Sequence, residues 1–134
     1  MFGLFKTKKK TANATVLVVD DEADLLSTIQ ARLKWKKFNV LTALNSREGL
    51  EIAASKKPDL ILLDNNMPVM NGLEMLAQLR ENPELKNTPV IMVTAVCEAH
   101  DIAAASSFGI VDYITKPFDF TELTEKISEI LYKK

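Results

Sequence analysis

The strongest constraint on the fold is a strict alternation of short apolar runs with longer amphipathic stretches from Thr15 onward. The first run, TVLVVD, is continuous and rich in β-branched residues, which is typical of a parallel strand buried on both faces. In the stretch that follows, EADLLSTIQARLKWKKF, apolar residues recur at helical spacing: Leu25, Leu26, Ile29 and Leu33. Trp35, near the end of this predicted helix, is expected to be partly packed. The first unit is therefore a strand followed by a helix.

The same unit recurs along the rest of the chain. The further pairs are FNVLTA with SREGLEIAASKK, DLILLD with GLEMLAQLREN, PVIMVTA with AHDIAAASSFG, and DYIT with DFTELTEKISEILYK. This order predicts a five-stranded parallel sheet with right-handed crossovers and five helices divided between its two faces. A length of 134 residues, 47% of them hydrophobic, suits one domain with its own core. We therefore predict a single doubly wound α/β domain over residues 14–134.

Charge and cysteine content weigh against several function classes. The formal net charge of −1 gives no support for a nucleic-acid partner, which usually requires a clustered basic face. No stretch approaches the roughly 20 apolar residues of a membrane-spanning helix. Cys97 is the only cysteine, so no internal disulfide is available. These features predict a protein of the reducing cytoplasm, without a membrane span and without nucleic acid.

Residues 1–13 are predicted as a flexible tail outside the domain. The beginning MFGLFKTKKKTANA places its aromatic residues before its lysines, which is the reverse of a secretory signal. Two interpretations remain open. The tail is either a solvated segment without a function of its own, or a weak membrane or partner tether that uses Phe2, Leu4, Phe5 and the basic run 6–10.

Polar residues are expected to converge at the carboxyl edge of the sheet, where doubly wound domains bind ligands. They are Asp20 and Asp21 after the first strand, Asp64 after the third, Thr94 after the fourth and Lys116 past the fifth. Each alone has an ordinary explanation as a helix cap, a strand end or a solvated side chain. Together, three crowded carboxylates repel one another unless a cation neutralises them. Ligands that are all oxygen atoms favour Mg²⁺.

These residue types also indicate a reaction. With a metal present, the Asp64 carboxylate could act as a nucleophile toward phosphorus. Lys116 and the Thr94 hydroxyl would then bind the transferred oxygens and reduce the cost of their charge. The pattern predicts phosphoryl transfer onto an aspartate.

The loop after Asp64 has a composition of its own. Met67 and Met70 are expected to pack it against the body of the domain, which is a common use of flexible methionine side chains. Gly72 is expected to permit a backbone approach that a side chain would block. Packing alone accounts for the methionines, but it does not account for Asp64.

Four motifs together resemble the receiver domain of two-component response regulators, similar to the free-standing CheY type. They are VVDDE at 18–22, LLDNNMPVMNG at 62–72, VTA at 93–95 and DYITKPF at 112–118. The resemblance covers about residues 15–132 and implies a flavodoxin-like, CheY-like fold. It implies that Asp64 is phosphorylated, that Mg²⁺ is held by Asp20, Asp21, Asp64 and the backbone carbonyl of Asn66, and that Thr94 and Lys116 hold the phosphoryl group.

The resemblance further implies a switch and a partner. Thr94 and Tyr113 occupy the positions of the family's switch residues, and the Lys116–Pro117 peptide would be cis. The phosphoryl donor would be a sensor histidine kinase or a histidine phosphotransfer protein. Asn66 and the apolar Val96 stand at positions that tune hydrolysis in the family, so slow to intermediate self-dephosphorylation is expected. The chain would be a phosphoacceptor switch, catalysing only its own phosphorylation and dephosphorylation.

The printed sequence stops at Lys134, soon after the last predicted helix, so output is expected through protein contact. The contact surface would be formed by the fourth helix, the fifth strand and the fifth helix, and its protein target is unknown. An alternative is a phosphorelay intermediate or phosphate sink without a target of its own. The protein is expected to be a monomer, with dimerisation on phosphorylation left open.

Other Asp-dependent and α/β classes fit less well. A haloacid-dehalogenase-type phosphatase has a second Asp two residues after its nucleophile, where this chain has Asn66. A flavodoxin-like FMN module has a Ser-, Thr- and Gly-rich loop after its first strand. Here the loop reads DDEAD, which would repel a phosphate that arrives without a metal. No G-x-x-x-x-G-K-[ST] motif for nucleotide binding is present.

Overall fold

The computed structural model describes residues 14–95 and 99–132. The strands are β1 (Thr15–Val19), β2 (Asn39–Ala43), β3 (Leu60–Asp64), β4 (Val90–Ala95) and β5 (Asp112–Lys116). The helices are α1 (Ala23–Trp35), α2 (Ser46–Lys56), α3 (Gly72–Glu81), α4 (Ala99–Ser106) and α5 (Phe120–Tyr132). The strands form one parallel sheet in the order β2-β1-β3-β4-β5. The predicted doubly wound α/β fold is confirmed.

The sheet separates two hydrophobic clusters. Successive residues of a strand point to opposite faces, and β1 follows this rule. Val16 and Val18 join the cluster that packs against α1 and α5, which includes Leu33 and Leu123. Leu17 and Val19 join the cluster on the other face, where the partners from α2 and α3 include Ala53, Met75, Leu76 and Leu79. The continuous apolar run of β1 is thus explained by burial on both faces.

The topology fixes where the strand ends meet. From β1 the chain crosses to β2 on one side and later returns to β3 on the other, so the strand order reverses at β1. The register pairs Val19 with Leu63, which places the next residues, Asp20 and Asp64, beside each other. Each helix runs back to the opposite edge of the sheet. The carboxyl edge therefore collects the helix beginnings, and the amino edge collects the helix ends.

One packing expectation was wrong. Trp35 is 75% exposed instead of partly packed. The buried side chains of α1 are Leu26, Ile29 and Leu33. Trp35 follows Leu33 by two residues, which is about 200° around a helix, so its side chain faces away from the core.

Several expectations concern residues outside the described ranges. The tail interpretation for residues 1–13 and the roles expected of Val96 and Cys97 belong to this group. Among residues 14–95 and 99–132, every helix is too short or too polar to cross a lipid bilayer.

Candidate functional site

The two buried aspartates of the site have the same local geometry. Asp20 and Asp64 are each 2% exposed. Asp20 Oδ1 accepts a hydrogen bond from the backbone N–H of Glu22 at 2.8 Å, and Asp64 Oδ1 accepts one from that of Asn66 at 3.1 Å. Each carboxylate closes a turn with the residue two positions ahead. Oδ1 of each carboxylate is thereby held in place by its own loop.

Lys116 joins these carboxylates from the end of β5. Its Nζ lies 3.3 Å from Asp64 Oδ2 and 3.6 Å from Asp20 Oδ2. It also lies 3.4 Å from Oε1 of Glu22, a residue that was not assigned to the site from the sequence. The Lys116–Pro117 peptide is cis, as the resemblance implied. The ammonium group therefore sits between three carboxylates that come from two different loops.

Burial and charge shift the pKa values of these groups. Loss of hydration raises the pKa of Asp64 to about 6, and the nearby Asp20 carboxylate adds to that rise. Desolvation likewise raises the pKa of Asp20. Burial lowers the pKa of Lys116, but the carboxylates of Asp64, Asp20 and Glu22 outweigh it and the net shift is upward. The pocket thus holds its negative charge at a cost that a further cation would reduce.

The donor set fits a hard divalent cation. One carboxylate oxygen from each of Asp20, Asp21 and Asp64 lies within 4.8 Å of the others. Asp21 is exposed, so this group opens toward solvent and leaves room for water ligands. Magnesium typically takes one or two carboxylates, keeps several waters and shares phosphate oxygens. Asp20, Asp21 and Asp64 meet these requirements.

The remaining predicted site residues surround this cluster. Thr94 is 1% exposed and lies at the end of β4, one position past Val93, which pairs with Asp64. Its hydroxyl donates a long hydrogen bond of 3.4 Å to the carbonyl of Ala95. Tyr113 on β5 is 43% exposed. The side chain of Asn66 is exposed, next to the turn that its N–H makes with Asp64.

Sequence reasoning missed Asn65, which organises the loop after β3. Its N–H donates to the carbonyl of Val93 at 2.9 Å, and its side-chain Oδ1 accepts from the N–H of Leu73 at 3.0 Å. Its carbonyl accepts from the N–H of Gly72 at 3.1 Å. The residue is buried, and one signal could have found it: an Asn directly after the aspartate that ends an otherwise apolar strand. It joins the end of β3 to the first turn of α3.

Gly72 has the role that the sequence indicated. A Cβ at this position would lie 2.5 Å from the backbone oxygen of Asp64 and 2.7 Å from Cα of Asn65. The helix can approach the strand end this closely only without a side chain. Met67 is buried in the hydrophobic cluster on the α2 and α3 face of the sheet, and Met70 is partly buried against that cluster. The packing role predicted for both methionines is confirmed. A further contact, Ser46 Oγ donating to the carbonyl of Met70 at 2.8 Å, ties the loop to α2.

Away from the site, at the amino edge where α3 ends, Arg80 fixes the chain after α4. Its Nε donates to the carbonyl of Phe108 at 2.7 Å and its Nη2 to that of Gly109 at 3.3 Å. Its Nη1 reaches the carbonyls of Leu85 and Thr88 at 3.1 and 3.0 Å. One guanidinium group thus joins the loop before β5 to the loop before β4, and burial lowers its pKa.

Comparison with known proteins gives one consistent family. The family model described as the response regulator receiver domain matches residues 16–128. The response regulator ArlR of Staphylococcus saprophyticus is 39% identical over 119 residues, which are 89% of this chain and 53% of that protein. ArlR of Staphylococcus aureus is 37% identical over the same shares of both chains. This chain therefore spans about half the length of the relatives that it matches.

Solved structures agree with this assignment. The chemotaxis protein CheY4 of Vibrio cholerae aligns with a TM-score of 0.84 at 30% identity, covering 89% of this chain and 99% of that one. The receiver domain of the Francisella response regulator 1452 aligns with a TM-score of 0.81 at 31% identity, covering 90% and 98%. Both the fold and the sequence motifs are those of the same family.

Proposed function

Because the chain belongs to the response regulator receiver domain family of two-component systems, we propose that it accepts a phosphoryl group on Asp64. The observation that carries this proposal is the burial of Asp64 beside Asp20 with Lys116 Nζ 3.3 Å from its Oδ2. Members of the family are phosphoacceptor switches and not classical enzymes. The proposed donor is a sensor histidine kinase or a histidine phosphotransfer protein.

The proposed transfer balances as a simple displacement. An oxygen of the Asp64 carboxylate attacks phosphorus and forms a P–O bond, while the P–N bond to the donor imidazole breaks. The imidazole leaves with the bonding electrons and is reprotonated by solvent. Lys116 and the Thr94 hydroxyl bind the transferred oxygens from the β5 and β4 ends. Lys116 begins as the partner of Asp64 and ends as the partner of the acyl phosphate.

We assign Asp20, Asp21, Asp64 and the carbonyl of Asn66 as the residues that would hold Mg²⁺. When bound, the ion supplies positive charge that offsets the phosphoryl oxygens as they approach the acidic pocket. The orientation of the Asp20 and Asp64 carboxylates suits this role, because the Oδ1 atom of each accepts a hydrogen bond from a backbone N–H. The Oδ2 atoms face the pocket and Lys116.

The proposed output is a shift of the surface formed by α4, β5 and α5. Phosphorylation adds roughly one further negative charge and new acceptor oxygens at the end of β3. Thr94 moving toward these oxygens would leave space behind it, and the exposed Tyr113 ring would turn inward. A contact at this surface with a protein target would then depend on phosphorylation. Relay of the group to another protein, without a dedicated target, remains the alternative role.

The direct test is the mass of the intact protein after incubation with Mg²⁺ and acetyl phosphate. Wild type should gain a single base-labile phosphoryl group, and Asp64→Asn should gain none. Asp24→Asn is the matched control, because Asp24 is an exposed aspartate in the first turn of α1, outside the pocket. Chelation of Mg²⁺ should abolish the adduct in both the wild type and the control.

Two results would contradict the proposal. An adduct of equal size on Asp64→Asn would place the phosphoryl group elsewhere. Failure of wild type to form an adduct, under conditions where Mg²⁺ binding is demonstrated and the product is trapped at once with acid, would reject Asp64 as a phosphoacceptor. To separate a target from a relay role, the phosphorylated protein would be offered an unphosphorylated histidine phosphotransfer protein, and return of the label would favour the relay.

A further inference from the structure

The amino edge of the sheet, opposite the phosphoacceptor, carries an exposed aromatic and basic group. We define the basic end as Lys34, Trp35, Lys36, Lys37, Lys56 and Lys57, all of them exposed. Two backbone hydrogen bonds place the loops that follow α1 and α2 at this edge. The N–H of Asn39 donates to the carbonyl of Ala14 at 2.9 Å, and that of Asp59 donates to the carbonyl of Thr15 at 2.8 Å.

The indole of Trp35 is the least expected member of this group. It is 75% exposed, whereas the large aromatic surface of Trp is usually buried to a high degree. Favourable interaction with the helix dipole explains lysines near the end of α1, but it does not explain an exposed indole among them. Tryptophan beside lysine on one surface is the combination that favours the boundary between lipid headgroups and acyl chains.

The backbone conformation at the basic end also favours a role for its lysines. Lys37 and Lys57 follow α1 and α2 with φ angles of 75° and 48°. Glycine is the usual residue for such left-handed positions after a helix, because a side chain there adds steric cost. At both positions the chain has a cation instead. Lys57 is partly neutralised by Glu84 at 3.3 Å, so the lysines that flank Trp35 contribute more of the net charge.

The basic end and the acidic pocket lie at opposite edges of the sheet and differ in the sign of their clustered charge, with Glu84 beside Lys57 and Glu125 and Glu129 beside Lys36. Asp20, Asp21, Glu22 and Asp64 lie at the carboxyl edge, where Lys116 faces three of them from β5. A negatively charged surface would therefore attract the basic end and repel the pocket. The molecule would be oriented with its phosphoacceptor toward solvent, where a protein donor can reach it. This orientation needs no contact at the pocket.

We propose that the basic end is a reversible docking surface for an anionic lipid bilayer. Trp35 would insert at the headgroup boundary, and Lys34, Lys36 and Lys37 would contact the lipid phosphates. The segment 1–13 is joined to the chain at Ala14, at this same edge, and its sequence has further lysines and apolar residues. A nucleic-acid duplex would also attract lysines, but its stacked bases leave no apolar surface for the indole, and a single strand, whose bases can stack on an indole, is distinguished by the test below.

Trp35 is the only tryptophan of the chain, so its fluorescence reports directly on the proposed contact. The full chain would be titrated with vesicles of phosphatidylcholine, with and without phosphatidylglycerol. Vesicles with phosphatidylglycerol should shift the emission to shorter wavelength and protect the indole from acrylamide, and added salt should reverse both effects. Vesicles of phosphatidylcholine alone should produce neither effect.

Two double variants with the same change in net charge locate the contact. The affinity of the variant K34Q/K37Q for anionic vesicles should be at least about tenfold lower than that of the wild type. The reason is that each lysine close to an anionic membrane adds to the free energy of binding. The control R47Q/K126Q removes two cations away from the basic end and should bind as the wild type does. Acetyl phosphate should phosphorylate K34Q/K37Q as it does the wild type, which separates this proposal from the phosphoacceptor function.

Three outcomes would overturn the proposal. One is sedimentation with anionic vesicles without any change in Trp35 emission, which would assign binding to another part of the chain. A second is equal weakening of K34Q/K37Q and R47Q/K126Q, which would indicate a nonspecific effect of net charge. The third is a larger emission change with duplex DNA or single-stranded RNA than with anionic vesicles, which would identify the surface as one for nucleic acid.

Discussion

The two sides of the phosphoacceptor pocket are built differently. On the β1–β3 side, Asp20, Asp64 and Asn65 are buried and each makes a hydrogen bond to a nearby backbone group. The loop after β3 is also held by Gly72 against the strand and by Ser46 against Met70. The buried carboxylates on this side are therefore fixed by backbone hydrogen bonds, whereas Asp21 stays exposed.

The β4–β5 side has weaker constraints. Tyr113 on β5 is 43% exposed. In the part of α4 from residue 103 to 106, Ala105 is the buried side chain. The β1–β3 side is therefore the more tightly held one, and we expect the β4–β5 side to move at lower cost.

The largest expected effect is loss of stability in Gly72→Ala. A Cβ would meet the backbone of Asp64 and Asn65, which cannot move without disturbing β3. We expect the free energy of unfolding to fall by about 3 kcal/mol, at the upper end for overpacking a tight site. Urea unfolding followed by circular dichroism measures this change.

Gly49→Ala is the matched control, because its Cβ would meet the ends of the Met75 and Val19 side chains at 3.0 Å and no backbone. A flexible methionine can yield, and alanine is the better helix former in α2. The loss of unfolding free energy in Gly49→Ala should therefore be clearly smaller than that in Gly72→Ala. Equal costs for the two variants would show that the β1–β3 side is no more rigid than an ordinary helix contact.

The second prediction concerns the energetic cost of the buried carboxylate. Without Mg²⁺, Asp64→Asn should raise the free energy of unfolding by about 2 kcal/mol at pH 7, because a buried charge is removed. A pKa raised to about 6 from the usual 3.8, with the Lys116 contact already included, corresponds to about 3 kcal/mol, and the burial of the polar amide in the variant reduces this gain. Urea unfolding of both proteins at a series of pH values measures it.

The sign of the pH dependence is specific. Between pH 4 and 6 the unfolded chain releases the Asp64 proton while the folded protein retains it, so wild-type stability falls as pH rises through this window. The advantage of Asp64→Asn should therefore be absent below about pH 4 and complete above about pH 6. A constant difference across all pH values would show that Asp64 is not the group responsible. Binding of Mg²⁺ to the wild type should weaken as pH falls through about 6.

The sequence predicted the position of the pocket better than its internal contacts. Asp20, Asp64, Thr94 and Lys116 could be found because strand ends are visible in the sequence and parallel strands all end at one edge. The contacts of Asn65 with Leu73 and of Ser46 with Met70 could not, because they join a side chain to a distant backbone group. Such contacts depend on the exact path of loops, which residue types alone do not determine.

Two other misses have simple causes. The sequence places Glu22 at the beginning of a helix and gives no sign that Lys116 Nζ, at the end of β5, lies 3.4 Å from its Oε1. Trp35 was expected to pack because it is large and apolar. Its angular position on α1 predicts its exposure correctly, because Trp35 lies well outside the helix face formed by Leu26, Ile29 and Leu33.

The smallest expected effect tests the side that can move. Tyr113→Ala should lower the free energy of unfolding by about 1 kcal/mol or less, because the ring is already half exposed and lies on the edge strand β5. The same variant should nevertheless change the response to phosphorylation, since the proposed switch requires an aromatic ring that turns inward. Amide spectra of residues 103–116, recorded before and after acetyl phosphate is added with Mg²⁺, measure that response. Tyr113→Phe is the control and should retain it. A cost for Tyr113→Ala equal to that of Gly72→Ala, or an unaltered spectral response, would show that the two sides of the pocket do not differ as proposed.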